Sequence, residues 1–595
     1  MKELAHLNKY FIKYKYRFLL GILFVVGSNL FSVFPAKSVQ RAIDELTIHL
    51  RLGDAARAGV SGEIAAIILE CTGLVLLFAL IRGIFLFVMR QSLIVMSRKI
   101  EYDLKNEIYQ HYQQLDQAFY RRNNTGDLMA RISEDVSRVR MYIGPAIMYF
   151  INLVATFGVV IPAMVGVNAE LALYVLLPLP VLSFSIFYVH NIINQRSDAI
   201  QEQLSTITSF TQEAYNGIRV IKAFGVEAHS QSALSGLIME FRRRSMALAK
   251  VDATFFPLMV FLTGLSTILT VFVGGMMVIN GKITVGNIAE YVVYVNLLVW
   301  PVTALGFTTS LMQRAAASQK RINEFLQTQP TIVSPITPPT QWKDRIAFNH
   351  VSYTYPGKTT PALSDLSFEL RKGKSLGILG STGSGKSTIA QLMMRMMDVG
   401  SGSIQVDNHD LREIDLVQYR NRIGYVPQDV FLFSDTLHNN IAFGLDQHQE
   451  LRKSRMNAAI EDAGLTETLE ELNDGGETII GERGITLSGG QKQRVSIARA
   501  LIRESEILIL DDCLSAIDTR TEAFILNRIQ QRISGKTALI ISHRVSSVKN
   551  TDHILILDEG KIIEQGTHME LLEKRGYYFA LHQRQTLEET ALSEF

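Results

Sequence analysis

The sequence predicts a polytopic α-helical membrane domain, with six transmembrane helices and long cytoplasmic extensions, followed by an α/β domain of the P-loop kind. Three observations carry that reading. At 595 residues the chain exceeds what one hydrophobic core supports, and its composition divides near Met312: apolar runs rich in Phe, Leu, Val and Met come first, then short apolar strands alternating with polar and Gly-rich turns. Gly380-Ser381-Thr382-Gly383-Ser384-Gly385-Lys386-Ser387 fits G-x-x-x-x-G-K-[ST] at every position. A second run of small residues, Leu487-Ser488-Gly489-Gly490-Gln491, opens a helix from Gln491 to Ile502, where free backbone N–H groups and the helix dipole favour an anion.

The bulk composition excludes more than it assigns. A net charge of +2 averages a membrane half with basic loops and a balanced soluble half, and outside the N-terminal segment no basic run is interleaved with aromatics, so nucleic acid is not an expected partner. The two cysteines, Cys71 in an apolar run and Cys513 in the soluble half, cannot plausibly form a structural disulfide.

Residues 1 to 17 place Lys2, Lys9, Lys13, Lys15 and Arg17 among Leu4, Leu7, Tyr10, Phe11 and Tyr14, which predicts an amphipathic helix on the cytoplasmic membrane surface. The apolar segment after it lacks a small-residue cleavage site and reads as a retained helix. Six segments can cross about 30 Å of hydrocarbon: 18–36, 65–90, 143–167, 169–193, 255–280 and 286–312. The long polar connections, 91–142 and 194–254, carry the positive charge (Arg98, Arg121, Arg131, Arg138 and Arg140 in one; Arg219, Arg242, Arg243 and Arg244 in the other), which places them in the cytoplasm. The spacing of Leu104, Ile108, Tyr112 and Leu115 extends the membrane helices into these loops. Pro330, Pro335, Pro338 and Pro339 mark a stiff linker, so the expected domains are 1–326 in the membrane, 327–345 as linker and 346–595 for nucleotide.

In the soluble half, Ser375 to Leu379 is a strand entering the Gly-rich loop and Thr388 to Met397 a helix leaving it. Glycines 380, 383 and 385 admit phosphate oxygens to backbone N–H groups, Lys386 neutralises phosphate charge, and the Ser387 hydroxyl is a candidate Mg²⁺ ligand. Ile507 to Asp511 is an apolar strand ending in a carboxylate, with Asp511 suited to hold the magnesium directly or through water.

Together these motifs resemble the ABC ATPases, whose signature sequence is LSGGQ, and the chain from its membrane helices to about His582 resembles an ABC exporter half-transporter of the type IV fold. The resemblance implies that two chains sandwich ATP, each signature (Ser488, Gly489, Gly490, Gln491) facing nucleotide held by the other chain. It implies adenine stacking on Tyr355, although strand packing would also account for that ring. It further implies Gln428 as a sensor of magnesium and the membrane domain, His543 as the switch residue at the γ-phosphate, Ser515 to Asp518 as a dimer-interface loop, and Thr478 to Gly484, with Gly481 to Gly484, as a contact for the partner's coupling helices. Asn124 to Leu128 and Glu213 to Arg219 resemble coupling regions.

One position departs from the pattern. Hydrolysing sites of the family carry Glu after the Walker B Asp, and here it is Asp512, whose carboxylate retreats by about one C–C bond, ~1.5 Å, from the attacking water. This resembles the Asp-containing subunit of heterodimeric bacterial multidrug exporters. The expected function is ATP-driven export or flipping of amphipathic small molecules or lipids across the bacterial cytoplasmic membrane. The expected partner is a second half-transporter with Glu after its Walker B Asp. A homodimeric lipid flippase and a nucleotide-gated channel or regulatory membrane protein are the alternatives. Phe24, Phe85, Tyr149, Phe184, Phe255 and Tyr294 either line a cavity or face lipid, and Arg82 and Glu290 matter if they face inward.

Overall fold

The computed structural model describes residues 2–593 apart from 52–53, 336–341, 444, 446–449, 482–486, 516, 518 and 534. Of the sequence motifs, Glu482, Arg483, Gly484, Ala516 and Asp518 therefore lie outside the described residues. The chain forms two compact units, Met1–Gln114 with Asn123–Gln329, and Leu115–Arg122 with Pro330–Phe595.

In the first unit, six helical spans are long and apolar enough to cross a membrane: Lys15–Ile48, Ala65–Gln114, Thr125–Val167, Ala169–Asn216, Glu227–Ile279 and Val285–Leu326. Their polar ends include most of the two long loops, as the helical spacing predicts. The short connections fold through local caps. The Asn168 side chain accepts from Leu171 N, and Thr284 and Asn287 form a reciprocal capping box, so the first N–H groups of both following helices are satisfied without water. Asp44 adds to the second cap by accepting from Gly286 N at 2.8 Å and from the Thr284 hydroxyl at 2.7 Å. A Cβ at Gly286 would run into the Gln40 carbonyl, so only glycine lets the two backbones approach there.

The N-terminal residues differ from the expected membrane-surface helix. Lys2–Leu7 is a 3-10 turn and Asn8–Lys13 a short helix. Leu4, Leu7 and Tyr10 are buried in the unit's own cytoplasmic helices. Lys9 and Tyr10 donate to Glu107, and Lys13 and Tyr14 to Asp103. The apolar stripe finds protein to cover it, and Lys9 and Lys13 find carboxylates. Burial pushes the Glu107 carboxyl up, but the Lys9 and Tyr10 hydrogen bonds outweigh it and hold it below the usual range.

The second unit begins with strands β1 (Arg345–Tyr353), β2 (Leu363–Arg371), β3 (Ser375–Gly380), β4 (Ser401–Val406) and β5 (His409–Asp410). It continues with β6 (Ile423–Val426), β7 (Ile507–Asp511), β8 (Thr537–Ser542), β9 (His553–Asp558) and β10 (Lys561–Gly566). An antiparallel sheet runs β2-β1-β4-β5; the other runs β10-β9-β3-β8-β7-β6, with all pairs parallel except β10 on β9. Strands β7 and β8 are buried along their whole length, which is why they read as unbroken apolar runs. The order brings the carboxyl ends of β3 and β7 to one edge on either side of β8, where α/β sheets bind ligands. Trp342 is buried in this unit's core beneath the Lys372 ammonium, whereas the chain's other tryptophan, Trp300, is 64% exposed on the sixth span.

The short helix Gln117–Arg122 belongs to this second unit, and Asp116 accepts from both Thr331 N and the Thr331 hydroxyl. The segment of the first long loop that joins the nucleotide unit is thus 115–122, just before the expected Asn124 to Leu128. The helical run that the apolar spacing extends ends at Gln114, and Leu115 and Asp116 lie outside helix before Gln117 starts the next one. In the second loop, Gly217 ends one helix and Ile218–Phe224 forms another with no buried residue.

Candidate nucleotide site

The loop between β3 and the helix Lys386–Met393 holds most of the predicted residues together. Gly385 has φ +100° and Gly383 φ +84°, left-handed conformations that an L side chain would strain. A Cβ at Gly380 would strike the Leu557 carbonyl, so this glycine is needed for contact with β9. Ser381 donates to Asp558 at 3.1 Å, Thr382 and Gly383 are exposed on the rim, and the Ser384 hydroxyl is buried without a partner among the described residues. Lys386 is buried and donates to the Gly380 and Ser381 carbonyls at 2.8 and 2.7 Å, so the loop curls around its own lysine. Burial lowers the Lys386 pKa to about 8, against the opposing pull of Asp512 and Asp511.

The Ser387 hydroxyl donates to Asp511 at 2.8 Å, which joins the two candidate magnesium ligands directly. Asp511 is buried at the end of β7, and desolvation, with Asp512 beside it, raises its pKa despite the Ser387 bond. A buried carboxylate next to a second carboxylate is stabilised by a cation, so the donor set fits a hard divalent ion. Tyr425 on β6, which sequence reasoning passed over, hydrogen-bonds Asp511, and its hydroxyl is pushed up by burial and by that carboxylate.

Asp512 follows in a left-handed conformation, φ +46°, which Asp tolerates better than most residues. Gln428 Nε2 lies 3.5 Å from its carboxylate, His543 Nε2 lies 3.9 Å from it, and Lys386 Nζ is 3.4 Å from His543 Nδ1. Burial and the Lys386 charge lower the His543 pKa, which favours the neutral ring. The predicted base, sensor, switch and phosphate lysine thus converge.

Gln585 in the last helix was also unforeseen. Its amide donates to the His543 carbonyl at 2.9 Å and accepts from Val545 N at 2.8 Å, bracketing the switch loop from both sides. A lone Gln beyond the last strand has no sequence signal for that contact.

Tyr355 is half-buried, with its hydroxyl 3.0 Å from the Thr388 hydroxyl and its ring edge-on to Tyr353. The signature residues begin the helix Gly489–Leu501 through a capping box in which Ser488 accepts from Gln491 N and Gln491 accepts from Ser488 N. Two of the expected free N–H groups are therefore already satisfied, leaving those of Gly489 and Gly490 at the first turn. Gln493 on the same helix donates to Ser515, which donates to the Asp512 carbonyl, so the signature helix and the turn after β7 are tied side chain to backbone.

The first unit carries a second cavity, about 490 Å³, between the third, fourth and sixth spans, lined by Leu153, Phe157, Leu179, Ser183, Val302 and Leu305. A neighbouring one of about 460 Å³ adds Phe184. Of the other expected aromatics, Phe24 packs on Phe85, Tyr149 lies near Phe307, and Phe255 packs on the helical core. Tyr294 is buried and donates to Glu290 at 2.7 Å, so Glu290 faces inward; Arg82 is only half-buried.

Residues 18–302 match the profile of the ABC transporter transmembrane region and residues 363–515 that of the ABC transporter domain. The chain is 35% identical to the probable multidrug resistance ABC transporter ATP-binding/permease protein YheI of Bacillus subtilis (strain 168), over 98% of each. It is 33% identical to the multidrug resistance-like ATP-binding protein MdlA of Escherichia coli (strain K12), over 99% of this chain and 97% of that one. An ATP-dependent lipid A-core flippase of Vibrio vulnificus (strain YJ016) is 31% identical over 85% and 86%. The structure of a bacterial Atm1-family ABC exporter with ATP bound superimposes with a TM-score of 0.75 at 24% identity, covering 96% of this chain and 99% of that one. With its six spans, cytoplasmic ATP-binding domain and phosphate loop, the chain belongs to the ABC transporter family, as a multi-pass bacterial membrane protein.

Proposed function

We propose that this transporter exports amphipathic small molecules or lipids, working as a dimer in which this chain supplies the weakly hydrolysing ATP site. The observation that carries the reading is Asp512, a short carboxylate at the general-base position, beside Gln428 and His543. In the proposed mechanism, Lys386 and the loop N–H groups hold the β- and γ-phosphates, Tyr355 takes the base, and Ser387, Gln428 and Asp511 would hold Mg²⁺. His543 donates a ring N–H to the γ-phosphate. Bound magnesium would neutralise charge developing on the phosphate oxygens. Asp512, set back by about 1.5 Å, orients water poorly and gives up much of the ~10²–10⁴-fold a general base supplies. ATP closes two chains across the Ser488 to Gln491 face, and closure favours the outward-open membrane state by differential binding. The functional division follows residues 1–326, 327–345 and 346–595.

The multidrug names of two relatives support the substrate class, and the apolar cavity beside Ser183 suits an amphipathic body. The lipid flippase relative supports a second reading, a homodimer acting on lipid. Purifying this chain alone and measuring its ATPase separates them. Low turnover that rises when a second half-transporter is co-expressed is expected; robust homodimer turnover, lost in Asp512→Asn, would overturn the heterodimer. Uptake of a fluorescent amphiphile into inverted vesicles, dependent on ATP, separates either transporter from a gated channel.

A further inference from the structure

We propose that Arg121 competes with the nucleotide base for Tyr355: it covers the ring and must give way when a base stacks there. The inference rests on the reading of Tyr355 as the base platform. Arg121 sits on Gln117–Arg122, part of the nucleotide unit, with its guanidinium carbon 5.6 Å from the centre of the Tyr355 ring and Nη2 3.2 Å from Gln391 Oε1. Tyr353, centred 5.0 Å away, is the ring's other aromatic neighbour and is fixed in β1. The helix that carries Arg121 has no buried residue, so of the two neighbours Arg121 is the one free to leave. Among the described residues its cation has no carboxylate partner, which leaves the Gln391 amide and the ring face to hold it.

A guanidinium over one face of a tyrosine competes with an adenine that stacks on that face, and the proposal places the base on the face Arg121 covers. Binding the base therefore costs the cation contact. The released arginine belongs to the connection between the second and third spans, so base docking changes the restraint on a segment continuous in the chain with membrane helices. The competition acts through the base and is indifferent to the phosphates, and that separates it from simple electrostatic attraction, in which losing a positive charge weakens both.

The test measures equilibrium binding of ATP and of tripolyphosphate to the full chain without magnesium, so that nothing is hydrolysed. Arg121→Ala is expected to tighten ATP by about two- to five-fold, the worth of an exposed cation–π contact, and to leave tripolyphosphate unchanged. Arg121→Lys, which keeps a cation, should fall between. In a Tyr355→Leu background the Arg121→Ala effect should vanish. Weaker ATP binding in Arg121→Ala, an unchanged affinity, or an equal change for both ligands would each overturn the proposal. If Tyr355→Leu alone leaves ATP affinity intact, the base-platform reading fails instead, independently of the arginine result.

Discussion

Lys386 is the residue whose burial has the most direct consequence. With its pKa lowered to about 8 by desolvation, it is mostly protonated at pH 7 and mostly neutral at pH 9 in the free protein. Bound phosphates favour the charged amine, so binding takes up a proton above pH 8 and affinity falls as pH rises. From pH 7 to 9 the loss should be about ten-fold by proton linkage, read by titration calorimetry. Lys386→Ala should bind ATP weakly at both pH values and lose the slope. Unchanged nucleotide crosslinking of Lys386→Ala at subsaturating ATP would show that the loop is misassigned. Asp512 gives the second residue-scale expectation: in the complex with a second half-transporter, Asp512→Asn should change turnover only modestly, whereas Glu→Gln in the partner should cost ~10²-fold or more. The residues that the fold gathers around the phosphate loop and the end of β7 were legible because motif spacing in a strand–loop–helix frame leaves little freedom, and their roles there belong to the proposal. Gln585 was not, since it reaches the site from the last helix, whose sequence has no fixed relation to it; Tyr425 stands beside the Gln428 run but carries no signal of its own for the Asp511 contact.

At the scale of elements, the signature helix shows how a cap doubles as a binding face. Ser488→Arg or Gly489→Asp should abolish most ATPase of the assembled transporter while this chain's own phosphate loop stays intact, measured as turnover alongside photolabelling of this chain. Full turnover in either would rule out the two-chain sandwich. Gln585→Leu should lower kcat with little change in KM for ATP, because it frees the His543 loop without touching Lys386 or Tyr355. Six helical spans and their extensions were readable from apolar runs and 3.6-residue spacing. The docking of residues 2–14 was not, since an amphipathic segment with basic residues looks alike whether its apolar stripe meets lipid or protein, and Glu107 and Asp103 decide it from far away in the chain.

Across the whole molecule, the expectation is division of labour between two chains, and composition could not have shown it, because one residue, Asp512, carries the asymmetry. The placement of the two tryptophans makes the two halves separately observable. Trp342 sits in a dry core, its indole N–H without a partner among the described residues, while Trp300 is exposed on a membrane helix. Excitation at one wavelength therefore reads two compartments: brominated phospholipids should extinguish the Trp300 emission and spare that of Trp342, and guanidinium chloride should red-shift the Trp342 band as the nucleotide half melts. Each single Trp→Phe variant then becomes a one-channel reporter for the half that keeps its tryptophan.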